Sequence, residues 1–309
     1  MITKHPTDKS NYAANLRFTR NARTAWEYIL RSASKEQKPR VLLPAYIGFT
    51  DREGSGVFDP VIATSSDYTF YPITDDLRVD VAHFEASLSE VTIALVIHYF
   101  GFCRNDMQHL KSLCERYNVT LVEDCAHAFH GGLRGKSLGH HGTFSFYSIH
   151  KYLPASTGGV LQINSAKSDF APISNVDSAP LSVLEQYAMS DLDGIATRRR
   201  DNYRTYLLML PRHEILEVMY ELEEHDIPQS FPLKIKNGIR PKLYFHLMAK
   251  NMPTTALYYR LISQIAKETF PLSYKISDEI LNLPVHQDIT REDICRLCGE
   301  IKAFLDENA

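Results

Sequence analysis

Runs of consecutive apolar residues alternate with amphipathic stretches along the first half of the chain. Val41 to Tyr46, Asp67 to Ile73, Thr92 to His98 and the segment opening at Leu121 each read as a buried strand. Between them, Val81 to Leu88 and Met107 to Tyr117 place their apolar residues at helical spacing. An aromatic strand follows at Thr143 to Tyr147, and the Gly158-Gly159 pair opens another apolar one. Apolar strands separated by helices imply a mostly parallel central sheet covered on both faces, an α/β fold. Ahead of all these, Asn21 or Thr24 starts a helix carrying Trp26, Ile29 and Leu30 on one face.

The character changes after Asn164. Residues 165–180 are polar and proline-containing, which suits a surface crossing, and a long helical pattern then runs from Leu181 to Leu210. From Pro211 the pattern is α+β: a strand over Phe231 to Lys236, a helix over Pro241 to Lys250, and a short segment over Ser277 to Pro284. The terminal helix starts at a Thr290 N-cap and gathers Ile294, Leu297, Cys298, Ile301, Phe304 and Leu305 on one face. The expected organisation is a large domain over 1–205, including the helix that joins the two parts, and a smaller α+β domain over 206–309.

One stretch breaks the apolar rule. The strand that opens at Leu121-Val122 runs into Glu123 and Asp124, where a buried strand ordinarily carries aliphatics. Downstream, Lys151 sits among Ile149, His150, Tyr152, Leu153 and Pro154 with no acid in the segment. Desolvation there would depress its pKa, and a neutral amine is a competent nucleophile toward an aldehyde. An aspartate at the carboxyl end of a parallel strand lies at the crevice where open α/β sheets bind ligands. A lysine for a Schiff base and a carboxylate to keep a ring nitrogen protonated are what pyridoxal phosphate requires. Taken singly, either residue is as readily a turn or surface group.

Composition narrows the field. The 309 residues are 44% hydrophobic, enough for a large core, and the formal net charge of −3 offers no basic surface for nucleic acid. Neither an amino-terminal apolar segment nor a run near the ~20 apolar residues of a membrane span is present, so a cytoplasmic protein is expected. Five scattered cysteines argue against a disulfide framework, and Cys295-x-x-Cys298 falls inside a helical pattern where core packing explains it. His130, His140, His141 and His150 lack metal-ligand spacing and read as surface or site-rim residues, so no metal is expected.

The run EDCAHAFHGGLRGKSLGHHGTFSFYSIHK, followed by LPASTGGVLQIN, resembles the cofactor-binding core of the DegT/DnrJ/EryC1/StrS family of sugar aminotransferases, which have the aspartate aminotransferase fold, or fold type I. The resemblance implies that Lys151 holds the aldehyde of pyridoxal 5'-phosphate, that Asp124 pairs with the pyridinium nitrogen, and that His127 takes the place of a glutamine touching the ring hydroxyl. The family's Ser-Phe pair is set one residue further from the lysine here, which leaves Ser145 and Ser148 as alternatives for the phosphate-binding hydroxyl.

Asn21 to Ala25 stands at the family's phosphate turn, with Arg23 and Thr24 as candidates and no glycine; a capped surface helix explains the same residues. Tyr46 or Phe49 falls where the family stacks a side chain on the ring, and His98-Tyr99-Phe100-Gly101 resembles a His-x-x-Gly turn that lines the site. The segment Arg198 to Tyr203 resembles one whose Arg/Asn end, here Asn202, reaches the partner subunit's phosphate; a solvated basic face is the alternative. The Leu283-Pro284-Val285-His286 turn completes a likeness that runs nearly end to end.

The implied activity is ping-pong transfer of an amino group from an amino acid, glutamate in the first instance, to a keto sugar nucleotide, in a homodimer. Another fold type I chemistry, such as a dehydratase or lyase, and a non-catalytic protein of the same fold are the alternatives.

Overall fold

The computed structural model describes residues 15–33, 38–128, 138–165, 170 and 172–308. At its centre is a seven-stranded sheet of order β1-β7-β6-β5-β4-β2-β3. These strands are β1 (Leu16–Thr19), β2 (Arg40–Pro44), β3 (Asp67–Tyr71), β4 (Ile93–Ile97), β5 (Thr120–Cys125), β6 (Phe144–Ser148) and β7 (Gly159–Ile163). From β3 to β6 every pairing is parallel. Strand β7 is antiparallel to both of its neighbours and alone runs against the rest. Every residue of β4 and β6 is buried, as strands covered on both faces must be.

Four helices accompany this sheet: α1 (Ala22–Ala33), α2 (Phe58–Ala63), α3 (Val81–Ser87) and α4 (Met107–Arg116). The starts of α3 and α4 are fixed by Asp80 and Asp106, whose carboxylates accept from the backbone N–H of His83 and His109. Helix α2, at six residues, is too short for periodicity to reveal. Strand β1 is an edge strand defined by its ladder with β7.

The expected helix over residues 181–210 is two helices, α5 (Leu181–Met189) and α6 (Leu192–Met209). Asp191 separates them, its side chain accepting from the Gly194 N–H and so capping a new helix. The proposed boundary at residue 205 therefore falls within α6. Beyond it, β8 (Leu216–Val218), β9 (Ser230–Ile235) and β10 (Ile280–Pro284) form an antiparallel sheet of order β10-β9-β8. It is accompanied by α7 (Arg240–Ala249), α8 (Pro271–Glu279) and α9 (Arg291–Asn308).

Helix α9 starts at a reciprocal Thr290–Asp293 cap and buries the six residues its periodicity selected. One hydrophobic core joins both sheets. Tyr203 and Tyr206 of α6 lie with ring centroids 4.6 and 4.9 Å from Phe231 of β9, and Tyr203 also meets Phe102 at 5.5 Å.

Candidate active site

A cavity of about 630 Å³ opens at the carboxyl ends of the parallel strands and beside the first turn of α1. Asp124 enters it from β5. Alternation along that strand divides the acidic pair, Asp124 facing the cavity and Glu123 the opposite side of the sheet. Glu123 is a brace: its Oε2 meets His98 Nε2 at 2.8 Å, and its Oε1 accepts from the N–H groups of His141 and Gly142 at 2.7 and 2.6 Å. Burial alone would raise its pKa, but these donors hold it below the usual value. His98, Glu123 and Cys125 bring ligand-type atoms within 4.8 Å of one another, yet both Glu123 oxygens are already engaged.

Asp124 is 3% exposed, and its Oδ1 accepts from the Ala126 N–H at 2.8 Å. Burial pushes its carboxyl up to about 6, against the pull of that N–H and of the Lys151 charge. Lys151 ends the 3-10 turn Ile149–Lys151 that follows β6 and lines the same cavity. Burial draws its amine down to about 8, while Asp124 and Glu53 act in the opposite sense. An amine that is appreciably neutral near physiological pH thus faces a carboxylate that is mostly ionised.

His127, on the turn after β5, also lines the cavity. Its ring lies 6.0 Å from Phe100, near-parallel, and its Nδ1 accepts from the Phe100 N–H at 3.4 Å. Burial and the Lys151 charge hold its pKa well below the ordinary value, so the imidazole is neutral, with its proton on Nε2.

Register on β6 separates the two serines. Ser148 lines the cavity, with Oγ 3.2 Å from His150 Nδ1. Ser145 turns to the other face, donating to the Gly139 carbonyl at 2.7 Å, and does not reach the cavity. Arg23 lines the cavity; its guanidinium donates to the Glu53 carbonyl at 2.6 Å and lies 3.5 Å from Asp59. Thr24 does not. Its N–H and hydroxyl both donate to Asn21 Oδ1, at 2.9 and 3.0 Å, which makes Asn21 the cap of α1.

Tyr46 is likewise displaced from the cavity wall. Its ring is fully buried, 5.1 Å from that of Tyr258, and it is Tyr258 that lines the cavity, along with Phe49. Ile97, the last residue of β4, lines the cavity, and residues 98–101 of the turn after it do not. Asn202 does not line this protomer's own cavity: its amide donates to the carbonyls of Val285 and His286 at 3.2 and 3.0 Å, tying α6 to the turn after β10. Arg199 and Arg200 are buried on main-chain carbonyls rather than solvated. His130 lies outside the described residues.

Several cavity residues gave no sequence signal. Glu53 arrives from an exposed loop, and Tyr258 from the C-terminal half with a positive φ of 60°. Gly48 makes room for Tyr258, because a Cβ there would fall 2.7 Å from the tyrosine Cδ1. The Gly158-Gly159 pair is explained by the same kind of approach. Gly159 has Asn21 backbone where its Cβ would be, at 2.3 Å, and Gly158 has φ +117°.

Comparison with known proteins adds sequence and fold relatives. The model of the DegT/DnrJ/EryC1/StrS aminotransferase family matches residues 30–169 and 181–302. A dTDP-3-amino-3,6-dideoxy-alpha-D-galactopyranose transaminase of Aneurinibacillus thermoaerophilus is 24% identical over 266 residues, 75% of this chain and 71% of that protein. Among solved structures, PseC of Helicobacter pylori, an aminotransferase involved in the biosynthesis of pseudoaminic acid, superposes with a TM-score of 0.78 at 14% identity, covering 94% of this chain and 87% of its own. Spr1654 of Streptococcus pneumoniae, solved in its PLP form, gives 0.78 at 15% identity, with 99% and 93% covered. At those identities the structural likenesses carry the fold.

Proposed function

The chain belongs to the DegT/DnrJ/EryC1/StrS aminotransferase family, and from that membership we propose that it uses pyridoxal 5'-phosphate to move an amino group from glutamate to a keto sugar carried on a nucleoside diphosphate. The observation that carries this reading is the convergence of Lys151 and Asp124, from separate strand ends, on one cavity. The residues present fit the cofactor: a half-buried amine of lowered pKa for the aldehyde, a carboxylate for the ring nitrogen, and the Ser148 hydroxyl with Arg23 and His150 for the phosphate. When bound, the cofactor supplies an electron sink next to the carbon from which the proton leaves.

The protein's own part is to hold groups and move protons. Lys151 would hold the aldehyde and, once freed by the amino donor, its Nζ would be the base that takes the donor's α-proton. Asp124 keeps the ring nitrogen protonated, which is why its own proton must be lost at working pH. His127, neutral and buried, offers its Nε2–H to the ring hydroxyl. The large part, 1–205, would hold the cofactor, and the part from 206 would help shape the acceptor site. The protein would work as a homodimer in the cytoplasm.

The sugar relatives support the acceptor class. Incubating the purified holoenzyme with glutamate is expected to shift the bound cofactor's absorbance to that of its amine form and release 2-oxoglutarate stoichiometrically. Subsequent addition of a nucleoside-diphosphate keto sugar should restore the aldehyde spectrum. Lys151→Ala should lose the first half-reaction by at least about a thousandfold, a removed base and nucleophile being worth ~4 kcal/mol. A wild-type spectrum unchanged by glutamate and other amino donors would contradict the proposal.

A further inference from the structure

The 3-10 turn that carries Lys151 is held from behind by a cation. Arg199 of α6 is 2% exposed, and none of the described carboxylates forms an ion pair with it. Its guanidinium donates instead to three main-chain carbonyls: Lys151 at 3.2 Å, Gln229 at 3.2 Å and Pro228 at 3.4 Å. The same group lies 4.3 Å over the ring of Tyr152. Tyr152 in turn donates from its hydroxyl to the carbonyls of His127 and Ile227, and its own carbonyl accepts from Gln287.

A buried cation without an anion is costly, and carbonyl dipoles with an aromatic face are what make it tolerable. Burial lowers the Arg199 pKa, while Tyr152 and the more distant Asp288 act in the opposite sense. A planar fork suits this role because it can address several carbonyls and lie flat on a ring at once, which an ammonium cannot. The chain at 227–229 is part of the same arrangement. Gln229 N–H donates to the Phe100 carbonyl, and Gly101 lacks a Cβ because that atom would stand 2.7 Å from the Ile227 carbonyl oxygen.

We propose that Arg199, acting through Tyr152, is a positioning residue that locks the Lys151 turn and the His127 turn to one another and so holds the half-buried Lys151 amine in the cavity it shares with Asp124. The role assigned to that amine rests on the aminotransferase reading above. The link itself is a property of the protein without cofactor. Loss of the fork leaves three carbonyls without their donor; the turn relaxes, the half-buried amine becomes more exposed, and its proton affinity climbs back toward that of an ordinary lysine.

The test follows the amine directly. Apoprotein is labelled with trace acetic anhydride across a pH series, and acetylation of Lys151 is read by peptide mass spectrometry. The wild-type midpoint should lie at about 8. In Arg199→Met it should rise by half a pH unit or more, leaving about threefold less neutral amine at pH 7. In Arg199→Lys it should rise similarly, since the charge is kept but the fork is lost.

Arg200→Met is the control. Arg200 is 9% exposed and donates to the Glu223 and Asp226 carbonyls, so its loss should lower the melting temperature without moving the Lys151 midpoint. An unchanged midpoint in Arg199→Met, an equal shift in Arg200→Met, or a full return to the wild-type value in Arg199→Lys would each overturn the proposal. Should the Arg199 variants fail to fold, Tyr152→Phe, which removes the hydroxyl links to the His127 and Ile227 carbonyls, must raise the midpoint, and an unmoved midpoint there would overturn the proposal equally. The assay contains no cofactor, so its failure is separable from failure of the aminotransferase reading, which the glutamate spectrum tests.

Discussion

Lys151 and Asp124 are each held against their solvent preference, and each moderates the other. Burial lowers the amine to about 8 and raises the carboxyl to about 6. Because the Asp124 charge favours the protonated amine, Asp124→Asn should move the Lys151 midpoint further down, below 8, in the same labelling assay; an upward move would mean that the two groups do not share one field. The carboxyl's folded pKa lies above its ordinary value. Its contribution to stability is therefore complete below about 4 and lost as pH rises through about 6, so the apoprotein's melting temperature should carry a fall in that window that Asp124→Asn removes. Ser148→Ala should weaken capture of pyridoxal phosphate about tenfold while leaving capture of unphosphorylated pyridoxal unchanged, the worth of one charge-assisted hydrogen bond. Ser145→Ala, turned to Gly139, should leave both unchanged.

Asp124 and Lys151 could be singled out because the signal was local, acids in an apolar strand and a lysine without acids nearby, whereas His127 was named only by the family resemblance. The choice between Ser145 and Ser148 needed the β6 register, which one residue of slippage inverts. Thr24 and Tyr46 fall off the cavity wall because their partners come from elsewhere: the Asn21 cap and Tyr258.

At the scale of elements, what was readable was length and period. Strands β2 to β6 and helices α3, α4, α7 and α9 fall within a residue or two of their expected bounds. Strand β1 and helix α2 were not distinguished, since four or six residues carry too little pattern, and the break at Ser190-Asp191 turned on one cap. The closeness of β7 to the start of α1 is an element-level constraint with a measurable cost. Gly159→Ala would set a methyl 2.3 Å from the Asn21 carbonyl carbon and 2.6 Å from the Ala22 nitrogen, both backbone atoms with little freedom to yield. Overpacking of that kind should cost roughly 2 kcal/mol or more in urea unfolding and disturb the Asn21–Arg23 side of the cavity. A variant as stable as the wild type would mean that the approach relaxes cheaply.

Across the whole molecule, one core spans both sheets, so the division at residue 205 separates strand topology rather than packing. None of the helices among the described residues is long and apolar enough to cross a membrane. The outer side of α5 and the chain before it expose Val176 (77%), Leu181 (70%) and Met189 (87%), close to Pro154 on the Lys151 side of the molecule. Exposed aliphatics of that size suit a subunit contact. Light scattering should therefore find a dimer, and Leu181→Asp with Met189→Asp should shift it toward monomer; a wild-type monomer that still bound cofactor would count against the homodimer.

The most direct measurement is to add pyridoxal phosphate to the protein, reduce with borohydride, digest, and locate the modified peptide by mass spectrometry. A single stable adduct on Lys151, lost in Lys151→Ala, is the expected result. An adduct distributed over surface lysines, or none at all, would contradict the claim that this amine and Asp124 hold one cofactor between them.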